Sequence, residues 1–273
     1  MIDTEKSWTW ELPPDCGAQL SNDGAALLAQ LLQTAQLRGF SARELGRVAD
    51  HPIWCLTRPA RRSDAPRLLL ASGFHGEESA GPWGVLRALR DASTESLDRV
   101  HLTVLPLVNP TGFNAGRRFN EWGENPNRGY PSLAVEDGPP SREGRILLEH
   151  AELLLDAGRD GVLSCHEDVG VEQAYLYSFE RSARPGAFSQ ALLAANTAHF
   201  PCYPDGLVDD CPIEGGIVFN HYDGSFEAWL MEQGALRAAC VETPGQQPLA
   251  SRIAAQAAMM TAFIALGGAK AAA

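Results

Sequence analysis

The chain is poor in positive charge. Twenty-two Lys and Arg stand against 34 Asp and Glu, a net charge of −12. A nucleic-acid partner needs a basic stripe to displace counterions, so that class is excluded. A field of this sign can favour cationic substrates, and more generally keeps a protein soluble. Paired cysteines are also lacking. The six present, Cys16, Cys55, Cys165, Cys202, Cys211 and Cys240, are scattered without a CxxC pair. In a chain of 273 residues they read as reduced core residues, not a disulfide framework, which points to the cytoplasm. No run approaches the roughly 18 apolar residues of a membrane helix, so no membrane partner is expected. The start, MIDTEKSWTWELPPD, lacks a charged region followed by an apolar stretch, so no signal peptide is expected. No repeat and no Pro/Ser/Gly-rich linker divides the chain. With 45% hydrophobic residues it reads as one domain, 1–273. Residues 1–60 carry no readable motif; they are candidates for an N-terminal extension of the sheet or a dimer contact.

What is present is an alternation of strand-like and helix-like stretches. Ala25 to Leu37 has helical apolar spacing with Asn22 or Asp23 as cap. His51 to Thr57, Arg67 to Ser72, Val100 to Val108, Gly161 to Cys165, Ala174 to Phe179 and Leu236 to Val241 read as strands. Helices are expected around Gly84 to Leu89, over Ser141 to Ala157, Ala187 to Ala198 and Ser225 to Gln233, and from Leu249 to Leu266. Such alternation predicts an α/β fold: a mixed, mostly parallel twisted sheet with helices on both faces. The near-continuous apolar character of RLLLAS and GVLSC fits strands buried on both sides. Ligand sites in such sheets lie beyond the carboxyl ends of the strands.

Chemistry-bearing residues fall there. His75 and Glu78 follow RLLLAS in GFHGEES, Asn109 follows VHLTVLPLV, His166 follows GVLSC and Glu242 follows LRAACV. A catalytic zinc takes three protein ligands and keeps one position for water. Two histidines and one carboxylate leave such a centre one positive charge, so it still acidifies water and polarises a carbonyl. His75 and Glu78 are three apart, so a turn entering a helix can aim both at one point. Gly73 and Gly76 supply the backbone freedom a sharp exit from a strand requires. A carboxylate off the metal must take the water's proton and pass it to the leaving amine, and Glu242 is the candidate. Singly, each residue has a bland reading: a loop histidine, a carboxylate at a helix start, a polar strand end. Glu167 and Asp168 read as solvent-facing or neighbouring residues, and Arg117 as surface.

The chain resembles the zinc carboxypeptidases, including compact bacterial members such as the murein-peptide amidases. The likeness runs from about Arg67 to Gly245 and rests on GFHGEES, NPTGFNAGRRFNEWGENPNRGYP, SCHED and CVETPG. It implies one zinc ion held by His75, Glu78 and His166, with Glu242 as general base. Asn109-Pro110-Thr111-Gly112 is followed by Arg118 and by Asn127-Arg128. By resemblance Arg118 stabilises the oxyanion, and Asn127 and Arg128 grip the substrate's terminal carboxylate. Asn125 stands where the family commonly has an aspartate that orients the first histidine. A neutral partner should make that imidazole a weaker donor to the metal. The family's mobile-loop tyrosine maps best to Tyr222, with His221 as rival. GSFEAW resembles the pocket segment, and spacing puts Glu227 near the pocket bottom, where a carboxylate would select a cationic side chain such as lysine or diaminopimelate.

The resemblance implies a metallocarboxypeptidase or peptide amidase. An N-acyl-amino-acid deacylase of the succinylglutamate desuccinylase and aspartoacylase type shares the zinc site, and the intact N-P-x-G, Arg and N-R segment leans toward the peptidase. A non-catalytic binding module of the same fold is the third reading. Metal analysis separates it from the enzymes.

Overall fold

Strand β3 (Arg67–Ser72) is apolar on both sides because both sides are covered. Leu68 and Leu70 face one packed layer and Leu69 and Ala71 the other. In the computed structural model, which describes residues 22–136 and 138–268, this strand lies inside an eight-stranded sheet of order β1-β2-β4-β3-β5-β10-β6-β9. The strands are β1 (Ser41–Val48), β2 (His51–Arg58), β3, β4 (His101–Leu105), β5 (Gly161–Asp168), β6 (Tyr175–Glu180), β9 (Ile217–Phe219) and β10 (Arg237–Pro244). A short ribbon of β7 (Gly206–Val208) and β8 (Cys211–Ile213) stands apart from it. The central four strands are parallel, and antiparallel pairs join β1 to β2, β2 to β4 and β10 to β6. The sheet is therefore mixed and parallel at its centre, as the alternating pattern predicts.

One layer contains α1 (Gly24–Leu37), α2 (Ala80–Asp91), α7 (Ala187–Thr197) and α9 (Leu249–Gly268). Leu31, Leu89, Leu192 and Phe263 pack there with Leu70, Val104, Leu163 and Val241 from the strands. The other contains α5 (Arg142–Glu149), α6 (Ala151–Gly158) and α8 (Phe226–Glu232), whose Leu147, Leu154 and Trp229 pack against Leu69, Val162 and Ala238. Short helices α3 (Thr94–Asp98) and α4 (Pro110–Ala115) flank β4. The stretch expected as one helix from Ser141 to Ala157 breaks at His150, whose Nε2 meets the carbonyl of Leu45 at 2.8 Å. That contact ties the break to the β1 edge.

The described part of the N-terminal region extends the sheet. β1 and β2 form a hairpin paired onto β4, so this stretch is integral to the architecture. Residues 1–21, with Cys16, lie outside the described residues. One expectation needs correction. Leu249–Gly267 is long and apolar enough to cross a membrane by length and composition. Here it packs against α2 and α7, and its Ala255, Met259, Met260 and Phe263 are fully buried. Its apolar content comes from facing protein on several sides.

Candidate active site

The chain leaves β3 through Gly73 at φ +69°, in the left-handed region glycine adopts without strain. Gly76 follows, and a Cβ there would lie 2.0 Å from the carbonyl carbon of Gly112. That close approach seats the β3–α2 segment against α4, and Gly76 N–H donates to Arg117 O at 2.9 Å. Asn109 caps α4, accepting from Gly112 N at 2.8 Å, and donates through Nδ2 to Phe74 O and Arg118 O. Its role is to brace the loop. The result points His75 and Glu78 inward, while His166 comes from the last residues of β5.

Three buried side chains meet. His75 Nδ1 is 2.6 Å from Glu78 Oε1, His166 Nδ1 is 2.9 Å from Glu78 Oε2, and the two Nδ1 atoms are 3.3 Å apart. All three residues are at most 3% exposed. Two imidazole nitrogens and a carboxylate turned on one another away from water need a shared cation, either protons or a metal ion. The electrostatics agree. Burial opposes charge on His166, yet the Glu78 carboxylate raises its pKa to about 9. Burial likewise opposes charge on Glu78, but His75 and His166 hold its carboxyl well below the usual range. Donor types and convergence fit a divalent ion.

Outer contacts orient the rings. Asn125 Oδ1 faces His75 Nε2 at 3.1 Å and also accepts from Asn127 N–H at 3.0 Å. A proton on His75 Nε2 leaves Nδ1 free to bind inward. Ser164 Oγ and Asn127 Nδ2 lie 3.0 and 3.3 Å from His166 Nε2.

Glu242 stands opposite His166 in the β5–β10 register, on the same sheet face. Its Oε2 has no hydrogen-bond partner, and Oε1 accepts from Cys240 Sγ at 3.5 Å. Burial pushes its carboxyl well above the usual range, with Glu78 adding to the rise and His166 opposing it. Ligand atoms of His166, Cys240 and Glu242 also fall within 4.8 Å of one another. Cys240 is thus a buried thiol at the site, not a remote core residue.

An open cleft is lined by His75, Arg118, Asn127, Arg128, His166, Glu227 and Glu242, joined by Tyr177, Phe179, Asp209, His221, Asp223 and Cys240. Arg118 Nη1 lies 3.2 Å from Glu78 Oε1, with its side chain 45% exposed toward the opening. Arg128 pairs with Asp223 at 2.7 Å and donates to Asn127 O. Asn127 is more deeply engaged than a free substrate hook. Its Oδ1 accepts from Phe226 N–H at 3.0 Å and its Nδ2 lies 3.5 Å from both Glu227 oxygens. Glu227 is 3% exposed and lines the cleft, not an outer helix face. Tyr222 packs its ring on Phe179 and is not among the lining residues, whereas His221 is. Glu167 is buried, contrary to the expectation of a solvent-facing residue. Sequence reasoning missed Tyr177, Asp209, Asp223 and Cys240. The strand period would have flagged two of them, since Tyr177 opposes Cys240 and both share the face of Glu242.

This sheet carries a buried His-Glu-His cluster at its strand ends, and its fold is that of carboxypeptidase-like proteins. Residues 64–162 match the succinylglutamate desuccinylase/aspartoacylase catalytic domain. A candidate metallopeptidase from Shewanella amazonensis SB2B is 49% identical, with 90% of this chain and 94% of that chain covered and a TM-score of 0.86. Another from Shewanella denitrificans OS217 is 49% identical over 90% of this chain and 91% of its own, at 0.84. Murein-tripeptide amidase from Escherichia coli O157, at 19% identity, shares the fold with a TM-score of 0.59 over 82% of this chain and 92% of that chain. No curated protein matches. The chain belongs to the family represented by the candidate metallopeptidases of Shewanella.

Proposed function

We propose that the protein is a zinc-dependent hydrolase that cleaves an amide bond next to a free carboxylate, with His75, Glu78 and His166 as metal ligands. The observation that carries this reading is the convergence of two imidazole Nδ1 atoms and one carboxylate beside an unpartnered oxygen of Glu242. A zinc ion bound there would acidify water and polarise the scissile carbonyl. Glu242 takes the proton of the attacking water and delivers it to the leaving amine; its free Oε2 has the vacant acceptor capacity this needs. Arg118, at the opening, meets the charge that develops on the carbonyl oxygen. Arg128 presents its guanidinium to the terminal carboxylate, with Asn127 fixing the loop beneath it. Glu227 supports selection of a cationic terminal side chain, because a buried carboxylate in the cleft wall favours an ammonium partner. Among the described residues the five cysteines are unpaired, which supports a reducing, cytoplasmic setting.

The domain match favours a second reading, deacylation of an N-acyl amino acid. That match covers residues 64–162 and so excludes His166, Glu227 and Glu242. It includes two of the three proposed ligands, His75 and Glu78, and the cleft residues Arg118, Asn127 and Arg128, but not the far wall that carries Glu227 and Glu242. The likeness to the Shewanella proteins spans 90% of the chain and supports the peptidase reading.

The test is Glu242→Gln in zinc-loaded protein. The variant should keep its metal while kcat drops by roughly 10²–10⁴-fold. Turnover at the wild-type rate would remove Glu242 from the mechanism. Assayed side by side, peptides with a lysine terminus should be cleaved faster than N-acyl amino acids; the reverse order selects the deacylase.

A further inference from the structure

Glu167 follows His166 on β5 and points to the opposite face of the sheet, where it is 1% exposed. Its Oε1 accepts from Ala80 N–H at 2.7 Å. Its Oε2 accepts from Thr243 Oγ1 at 3.3 Å and from Arg252 Nη1 at 2.5 Å. These partners have a pattern. Ala80 opens α2 two residues after Glu78, Thr243 follows Glu242, and Arg252 lies near the start of α9. Gln256, one turn along α9, donates to His166 O at 2.7 Å and to Thr243 Oγ1 at 3.0 Å. One buried carboxylate therefore joins the segments that carry Glu78, His166 and Glu242.

The sheet already sets His166 against Glu242, which oppose each other across β5 and β10. Glu78 has no such constraint, because it lies in the irregular segment between β3 and α2. The Glu167–Ala80 hydrogen bond couples that segment directly to β5. A buried ion pair is poor value as a source of stability, since an apolar pair of similar volume commonly folds as well. A role in orienting neighbours is what such groups supply around metal sites.

We propose that Glu167 is a positioning residue for the metal centre, holding Glu78 where it can share one divalent ion with His75 and His166. The inference rests on the metal-centre reading above. Two disrupting variants and one retaining variant test it. Glu167→Leu with Arg252→Met removes the acceptor for Ala80 and leaves no buried charge unpaired. Glu167→Asp keeps a charge for Arg252 but shortens the reach to Ala80. Zinc affinity is measured by competition with a chromophoric chelator, alongside thermal unfolding of the metal-free proteins and visible spectra of the cobalt-loaded ones.

The metal-free variants should unfold within about 5 °C of wild type. Both should hold zinc on the order of 10–100-fold more weakly, with altered cobalt bands, as expected when ligand orientation is lost. Glu167→Gln retains an acceptor for Ala80 and should stay within about threefold of wild type. Affinity within about threefold of wild type in the double variant overturns the proposal; if that protein does not fold, the same result in Glu167→Asp overturns it. A wild-type protein that takes up no zinc overturns the metal-centre reading itself, which is a separate outcome.

Discussion

At the proposed metal centre, the Glu78 carboxylate favours a proton on His166. His166 is held to about 9 by Glu78, against the cost of burial. Between pH 6 and 8 its ring therefore carries a proton that metal must displace. Zinc uptake at pH 7 should release at least one proton per ion, measurable by calorimetry in buffers of differing ionisation enthalpy. The sign follows from the raised value: apparent affinity climbs by up to about tenfold per pH unit and levels off above about 9. The cleft wall makes a second prediction. Glu227 is buried, and Asn127 Nδ2 is the neutral donor within reach of both its oxygens. Glu227→Gln should raise KM for lysine-ended peptides about tenfold or more while leaving leucine-ended ones nearly unchanged, as loss of a charged hydrogen-bond partner requires. An unchanged preference would show that Glu227 does not read the side chain.

Secondary elements determine which of these residues can meet. His166 and Glu242 are brought together by parallel pairing of β5 and β10, Glu78 by the sharp exit from β3, and Arg118 by the seating of Gly76 on α4. The helix behind the sheet matters as much. α9 passes the length and composition test for a membrane span, yet Phe263 and Met260 are fully buried in the protein core. Phe263→Ala should destabilise the fold by about 3–5 kcal/mol, read as a lower urea midpoint at unchanged slope. A loss below about 0.5 kcal/mol would place that face of α9 outside the core.

Over the whole molecule the net charge is −12, and in the cleft the acidic Asp209, Asp223 and Glu227 stand with Arg118 and Arg128, so the long-range field is set by the net charge. A field of that sign attracts a cationic substrate at long range, and salt screens it. For a lysine-ended peptide kcat/KM should fall several-fold between about 0.05 and 0.5 M salt, whereas a neutral terminus should show little change. Equal salt dependence for both would confine the acidic charge to solubility.

The sequence by itself determined the sheet class, a mixed and mostly parallel sheet with helices on both faces. Near-continuous apolar runs such as RLLLAS and GVLSC can be satisfied by few environments other than a doubly covered sheet. It also singled out His75, Glu78, His166 and Glu242, because strand ends are where such sheets expose side chains to a common cleft. Tertiary structure decided the rest. Whether Glu227 faced solvent or the cleft depended on which side of α8 met the sheet, and a seven-residue helix carries too little periodicity to say. That His221 rather than Tyr222 lines the cleft turned on the packing of Tyr222 against Phe179, a contact 43 positions away in sequence. Glu167, one residue from a predicted ligand, gained its place only when α2, β10 and α9 converged on it. Local pattern encodes which face a residue occupies; which distant groups complete that face is a property of the folded packing.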